Sequence, residues 1–172
     1  MGEMMAEKRR RFIAPFNGPV EIGLRALAVL TNAYPDAYSL QRLVVFDYLI
    51  VHSDDVPDGP PGLHPQTPHR GGELFVRRGA LQEGLLLYQS RGLVERRYKD
   101  SGVLFAATER SAAFLDVLRA QYVAGLRERA AWLVESFGQI QDADLDKMVR
   151  EHVGKWGAEF AMESVLWAEE VQ

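Results

Sequence analysis

Asp47 has the most unusual setting of any side chain in this sequence, because it lies inside the apolar stretch Leu43–Val51. A carboxylate taken out of water must be paired or hydrogen-bonded. One interpretation is a catalytic carboxylate whose pKa is raised by burial. The other is a structural role, either in a pair with an arginine or a helix-end amide or at the solvent edge. The sequence places no second carboxylate or histidine to complete a mechanism, so it favours the structural role.

The histidines give little support for a metal site. Of the four, His64 and His69 lie five residues apart in a loop that also contains Asp54, Asp55 and Asp58. This spacing matches no known pattern of metal ligands. We therefore expect polar loop residues without a bound ion.

Other catalytic motifs are also missing from the sequence. The chain has no cysteine, so it has neither a disulfide framework nor a thiolate nucleophile. No Ser-His-Asp arrangement is suggested, and Gly71-Gly72 lacks the spacing of a phosphate-binding loop. We expect a protein that is not an enzyme, with no cofactor and no small-molecule substrate.

A basic band occupies the middle of the chain. Residues 70–99 carry seven basic and three acidic side chains, although the whole chain of 172 residues has a net charge of −4. Basic side chains on one surface can contact DNA phosphates independently of base sequence. The candidates for this contact are Arg70, Arg77, Arg78, Arg91, Arg96, Arg97 and Lys99.

The segment that precedes Arg91 does not resemble a reader of DNA bases. Residues 79–90 (GALQEGLLLYQS) contain Glu83, three consecutive leucines and no basic side chain. Because base reading requires donors and acceptors on an exposed face, sequence-specific recognition is not expected. Sequence-independent DNA contact stays open, and a protein partner is at least as well supported. The side chains predicted to meet such a partner here are Leu85, Leu86 and Tyr88.

The elements around this band predict the second half of a winged helix. A helix ends at Arg91-Gly92, and an extended run follows over Leu93–Tyr98. Asp100-Ser101-Gly102 predicts a turn, and Val103–Ala107 predicts a second strand that lines the core. Thr108 is then a plausible N-cap of the next helix. Winged helices bind DNA or partner proteins, which agrees with the absence of catalytic motifs.

The region before the band predicts two helices and a long loop. Pro19 begins a helix with apolar spacing that Pro35 stops, and Ser39 caps a second helix over Leu40–His52. This second helix is apolar on nearly all sides, which is typical of the middle of a core. Asp54–Gly72 holds five of the eight prolines and predicts an extended loop. A short helical turn over residues 73–78, weakened by Gly79, precedes the helix of residues 80–90.

The C-terminal part predicts further helices. Apolar spacing indicates a long helix from Phe114 to Phe137, bent near Gly125 and ended by Gly138. A last helix is expected from about Asp144 to Trp167. Its aromatic side chains either dock on their own domain or anchor in a partner's groove, and they are Trp156, Phe160 and Trp167.

Together these elements predict a mainly α fold with a small β-hairpin. We expect a flexible basic arm over residues 1–14, a winged-helix-like domain over 15–137 and a C-terminal helical extension over 138–172. No signal peptide is evident, and Leu43–Val51 is too short to span a membrane. A cytoplasmic location without membrane contact is therefore expected.

Several motifs, in order along the chain, resemble the middle component of bacterial ABC-three-component systems, the group that includes Lamassu-type anti-phage defence. The resemblance spans about residues 18–167. The segments that carry it are EIGLRAL (21–27), LQRLVVFDYL (40–49), LHP (63–65), RGGEL (70–74), VRR (76–78), GL (84–85), SRGLV (90–94), WGAEF (156–160) and ES (163–164).

The resemblance implies an accessory subunit that works between an effector and an ATPase related to structural-maintenance-of-chromosomes (SMC) proteins. The ATPase would sense foreign DNA or its ends, and the effector, often a nuclease, would act on activation. The middle component would bind near the ATPase heads or the base of their coiled coil. The alternative is a winged-helix transcriptional regulator that binds DNA. An isolated accessory subunit should expose an apolar patch, near residues 85–88 or 156–167.

Overall fold

The computed structural model describes residues 18–63 and 70–152, with the side chains of 70–76, 149, 150 and 152 left out. The predictions for the basic arm, His64, His69, Trp156, Phe160 and Trp167 lie outside these residues. The described elements are α1 (Pro19–Ala33), β1 (Ala37–Ser39), α2 (Leu40–Val51), α3 (Arg70–Ser90), β2 (Val94–Lys99), β3 (Gly102–Ala107), α4 (Ser111–Asp116), α5 (Gln121–Phe137) and α6 (Asp142–His152), with a 3-10 turn at Ser53–Asp55. The predicted mainly α fold with a β-hairpin is confirmed.

Helix α2 is the centre of the core. Its residues from Arg42 to Val51 are all buried, and α1, α3 and α5 pack around it. The Ser39 hydroxyl accepts a hydrogen bond from the Arg42 amide at 3.1 Å, which confirms the predicted N-cap. The all-round apolar pattern of this helix is thus explained by contact with neighbours on every side.

The hairpin belongs to a three-stranded antiparallel sheet with the order β1-β3-β2. The strands β2 and β3 pair from Val94 opposite Ala107 to Lys99 opposite Gly102, close to the predicted limits. Strand β1 was not predicted, because three residues between two helices carry too little alternation to show a strand. It pairs with β3 through Tyr38 opposite Phe105, which joins the hairpin to the start of α2.

Helix α3 differs from the prediction at its beginning. A single helix runs from Arg70 to Ser90 through Gly71, Gly72 and Gly79, whereas the sequence predicted a loop to Gly72 and a separate helical turn. Glycine weakens an isolated helix by about 1 kcal/mol. Here contacts with α1 and α2 outweigh that local preference.

The predicted helix from Phe114 to Phe137 is divided into α4 and α5. The break lies at residues 117–120, not near Gly125, which is inside α5. Thr108 lies three residues before Ser111, the first residue of α4, and makes the hydrogen bonds of the predicted N-cap. Its hydroxyl accepts from the Arg110 amide at 3.3 Å, and its amide donates to the Ser111 hydroxyl at 3.1 Å. The Thr108 hydroxyl also donates to the Gly92 carbonyl at 2.7 Å, so it connects the end of β3 to the turn that follows α3.

Helices α1 and α3 approach each other closely at Gly23 and Gly84. A Cβ atom on Gly84 would lie 2.5 Å from the Pro19 carbonyl oxygen and 2.9 Å from the Gly23 Cα. These are backbone atoms, which cannot move aside as a side chain can. The crossing therefore requires the absence of a side chain at Gly84.

Gly84→Ala should lower the free energy of unfolding by about 1–3 kcal/mol, because overpacking at the crossing exceeds the gain in helix propensity of about 1 kcal/mol. Gly79→Ala is the matched control in the same helix, because a Cβ there meets nothing within 4 Å. It should stabilise the protein by about 0.5–1 kcal/mol. Denaturant unfolding measures both variants, and equal stabilities would show that the crossing is not constrained in this way.

Candidate functional site

The buried carboxylate of Asp47 is held by two arginines from neighbouring helices. Arg25 on α1 donates from Nε to Oδ1 at 2.7 Å and from Nη2 to Oδ2 at 3.1 Å. Arg77 on α3 donates from Nη1 to Oδ2 at 2.6 Å. Asp47 is 3% exposed and Arg77 is 2% exposed. The cluster ties α1, α2 and α3 together at the centre of the protein.

The electrostatics of this cluster match a structural role. Burial by itself would raise the pKa of Asp47, but the charges and hydrogen bonds of Arg25 and Arg77 outweigh it and hold the pKa below its ordinary value. The carboxylate is therefore ionised at neutral pH. A catalytic acid would need the opposite shift and access to a substrate, so the interpretation as a pair with arginine is confirmed.

The position of Arg77 corrects one of the predicted DNA contacts. Its guanidinium is enclosed beside Asp47 and lies over the Tyr48 ring, 5.8 Å from the ring centroid. Such a side chain cannot reach a phosphate on a partner molecule. Arg78 is partly buried, and the side chain of Arg70 is outside the described residues.

The basic side chains of the hairpin lie on opposite faces of it. Successive side chains of a strand alternate between faces, so Arg96 shares the inner face with the buried Val94. Its guanidinium lies 5.8 Å from the Phe105 ring centroid. Arg97 and Lys99 are on the outer face. The hairpin therefore does not present the three cations as one patch.

Arg97 is also engaged within the protein. It donates from Nη1 to the Pro35 carbonyl at 2.7 Å and from Nη2 to Glu95 at 2.9 Å. These bonds connect β2 with the segment before β1. Of the hairpin cations, Arg96 and Lys99 are the more exposed.

The inner face of the hairpin carries an apolar patch near the turn. Tyr98 pairs with Val103 across the two strands, and both continue the face on which Val94 and Phe105 are buried. Tyr98 is nevertheless 75% exposed. We call Tyr98 and Val103 the hairpin patch. It extends the core-facing side of the hairpin beyond the edge of the described core.

The three side chains of the predicted interface on α3 do not lie on one face of the helix. Leu85 and Tyr88 are buried, whereas Leu86 between them is 57% exposed. The helical period places Leu86 on the side opposite α1 and α2. Leu86 is therefore the leucine of this group that a partner can reach directly.

A shallow apolar groove of about 480 Å³ lies between the end of α3 and α4. Its lining consists of Leu87, Tyr88, Arg91, Leu93, Arg110 and Phe114. The rings of Tyr88 and Phe114 meet edge to face with centroids 6.2 Å apart. Burial, with a smaller effect of Glu21, raises the pKa of Tyr88 to about 12, so this floor is uncharged at neutral pH.

Glycine is required at position 92, in the turn that joins the end of α3 to Leu93 in the groove wall. Its φ of +73° is in the left-handed region that glycine adopts without strain. The Leu93 amide donates back to the Tyr88 carbonyl at 3.0 Å, which closes the end of the helix. A side chain here would also meet the Arg110 guanidinium at 3.0 Å.

A second arginine cluster fixes the corner between α5 and α6. Arg42 donates from Nε to Asp142 at 2.7 Å and from Nη1 to the Phe137 and Gly138 carbonyls, both at 3.1 Å. Its Nη2 donates to the Ile140 carbonyl. Arg42 is 6% exposed. The beginning of the predicted C-terminal extension is thereby bound to α2.

Several hydrogen bonds fix the path of the chain after α2. Tyr48 donates its hydroxyl to Asp55, and the Ser53 hydroxyl contacts the Pro60 carbonyl at 2.9 Å. Arg129 on α5 donates to the Pro61 carbonyl at 2.9 Å. Within residues 18–63 and 70–152, no three His, Asp or Glu side chains are grouped to hold a metal ion.

Sequence reasoning named Arg77 as a possible partner of Asp47, which the structure confirms, but it did not identify Arg25 or the role of Arg42. Asp47 was noticed because its charge interrupts an apolar run. Arg25 lies in an amphipathic pattern where a cation is ordinary, and Arg42 directly precedes the apolar run of Leu43–Val51. A weak signal existed, since a buried carboxylate must be paired or hydrogen-bonded and an arginine can do both. The choice among twenty lysines and arginines required the three-dimensional structure.

No helix in the described part of the chain is both long and apolar enough to cross a membrane. The described residues form a mainly helical protein whose buried charges are paired inside it and whose surface exposes apolar side chains, among them Leu86 and Tyr98.

Comparison with known protein families identifies the family of this chain. The chain belongs to the family described as ABC-three component (ABC-3C) system Middle Component 2, whose family model matches residues 15–159. It is therefore a middle component of a three-component system. Searches of curated proteins and of solved structures gave no match.

Proposed function

We propose that this chain is a non-enzymatic accessory subunit of a bacterial anti-phage defence complex of the Lamassu-like kind. It binds an SMC-like ABC ATPase and links that ATPase to an effector in the cytoplasm. Family membership supports the accessory role. The observation that carries the binding role is the hairpin patch, where Tyr98 and Val103 continue a core-facing surface into solvent.

The element order supports a winged-helix domain as the scaffold of this subunit. A winged helix has a strand between its first two helices and a terminal hairpin that forms the wing. Here α1, β1, α2, α3, β2 and β3 follow that order, and β1 pairs with β3 at the centre of the sheet. The hairpin patch then lies on the wing.

The proposed contact residues are those of the hairpin patch and, on α3, Leu86, which is 57% exposed. Exposed aromatic and aliphatic side chains supply much of the affinity of protein interfaces when a partner removes them from water. The neighbouring Arg96 and Lys99 suit the rim of such an interface, where charges set orientation and association rate more than affinity.

A pull-down of the tagged chain from its native host, treated with nuclease and read by mass spectrometry, tests the proposed function. The expected result is recovery of a coiled-coil ATPase together with a neighbouring effector. Recovery should persist after nuclease treatment, because the contact is between proteins. Recovery of the chain without either partner contradicts the proposal.

A second candidate is a winged-helix transcriptional regulator that binds DNA. The exposure of Arg96 and Lys99 on the hairpin favours it, since a hairpin that enters a groove presents both faces to phosphates. This candidate expects duplex binding that weakens steeply with salt, with a smaller slope after Arg96→Gln or Lys99→Gln. Salt-independent or absent duplex binding contradicts it.

A further inference from the structure

The groove between α3 and α4 has an apolar floor and a positively charged rim. Tyr88, Leu93 and Phe114 contribute the floor, while Arg91 and Arg110 stand at the edge. Both arginines are exposed, and within the described part of the chain neither forms an ion pair. A ligand that fits this surface is apolar and carries negative charge.

The last twenty residues of the chain have this composition. Residues 153–172 contain two tryptophans and a phenylalanine together with four glutamates and a single lysine. The charges of this segment and of the groove are opposite. Glutamates flank the aromatic side chains, as Glu159 does beside Phe160.

Chain length permits the segment to reach the groove. The groove lies at the Val94 end of the hairpin, while Lys99 and Ser101 at the other end share a cleft with the beginning of α6. The hairpin spans about 17 Å, and the eleven residues of α6 add about 16 Å. Twenty residues extend over as much as about 66 Å, which exceeds the sum of these distances.

We infer that the groove of Tyr88, Leu93 and Phe114 is the docking site of the chain's own residues 153–172, with Arg91 and Arg110 pairing to the glutamates of that segment. The contact is intramolecular. This inference goes beyond the proposed function and does not depend on it.

Tryptophan fluorescence of the full-length chain tests the inference. Trp132, Trp156 and Trp167 are its three tryptophans, so in a Trp132→Phe background all the emission comes from the terminal segment. Docking predicts blue-shifted emission that acrylamide quenches weakly. Arg91→Glu with Arg110→Glu should shift the emission to the red and raise the quenching constant at least about twofold, since opposite charges become like charges.

A charge exchange separates docking from a folding defect. Glu159→Arg with Glu163→Arg, added to the groove reversals, should restore the blue-shifted emission. Lys99→Glu with Arg119→Glu, at two exposed residues outside the groove, is the control of equal charge change and should leave the emission unaltered. Reversal of Arg91 alone, an exposed residue beyond the helix end, serves if the double variant fails to fold.

Three results overturn the inference. Emission typical of fully exposed tryptophan in the Trp132→Phe background shows that the segment is not docked. Blue-shifted emission that does not change in the variant with Arg91→Glu and Arg110→Glu shows that the segment docks elsewhere. Protection that disappears on dilution as a dimer dissociates in sedimentation assigns the groove to a second copy of the chain.

Discussion

Asp47→Asn is expected to lower the free energy of unfolding by about 3–5 kcal/mol, because it leaves two buried guanidinium groups without their counterion. Arg25 and Arg77 both donate to this carboxylate, and an amide of the same shape supplies no charge. Denaturant unfolding at neutral pH measures the effect. Glu95→Gln is the matched control, because the Glu95–Arg97 pair is partly exposed and should change stability by less than about 1 kcal/mol.

The pH dependence of this variant gives an independent check. The pKa of Asp47 is held below its ordinary value of 3.8, so its contribution is complete above the unfolded pKa. It is lost as the pH falls through the lower folded pKa. The stability difference between the natural chain and Asp47→Asn should be constant from about pH 5 to 8 and shrink below about pH 4. A difference under about 1 kcal/mol at pH 7 would contradict the structural role.

Arg42→Met should loosen the corner between α5 and α6 and lower the free energy of unfolding by about 2–4 kcal/mol, because it removes the guanidinium that donates to three carbonyl groups and to Asp142. Asp142 keeps the Ser39 hydroxyl as a donor, and the Phe137 carbonyl keeps the Ile140 amide. Methionine keeps the apolar part of the side chain but lacks the guanidinium, whose carbon lies 5.2 Å and 5.4 Å from the ring centroids of Tyr38 and Phe46. Hydrogen exchange should show faster amide exchange in α6 than in α1, since α6 loses its ion pair to α2.

The control for this change is Arg127→Met. The Arg127–Asp116 pair is 2.9 Å long with both side chains largely exposed, so its loss should cost less than about 1 kcal/mol. Equal effects of Arg42→Met and Arg127→Met would show that the corner does not depend on Arg42.

Most of the fold was predictable because its signals are local. The Ser39 cap, the apolar run of α2 and the turn at residues 100–102 each act within a few residues. Strand β1 and the beginning of α3 were missed for the opposite reason. A three-residue strand exists only because β3 lies beside it, and the glycines at the start of α3 are helical although their local preference opposes it.

The candidate surfaces were predictable only in part. The sequence identified Leu85, Leu86 and Tyr88 as a group, but it could not show that only Leu86 points outward. The alternation in β2 was obscured by its charged residues, so the separation of Arg96 from Arg97 and Lys99 was missed. The sequence did not identify Tyr98 as an exposed side chain, because the exposure of an aromatic residue in a strand depends on where the core ends.

The central claim is that this chain binds an ATPase partner through the apolar side of its hairpin. Calorimetric titration of the full chain against the SMC-like ATPase that we propose as its partner tests that claim most directly. We expect binding that Tyr98→Asp weakens at least about tenfold, as for a central interface residue, while Arg96→Gln with Lys99→Gln changes it less than about threefold, as for charges at a rim. Absence of binding by the natural chain, or unchanged binding by Tyr98→Asp, would contradict the account.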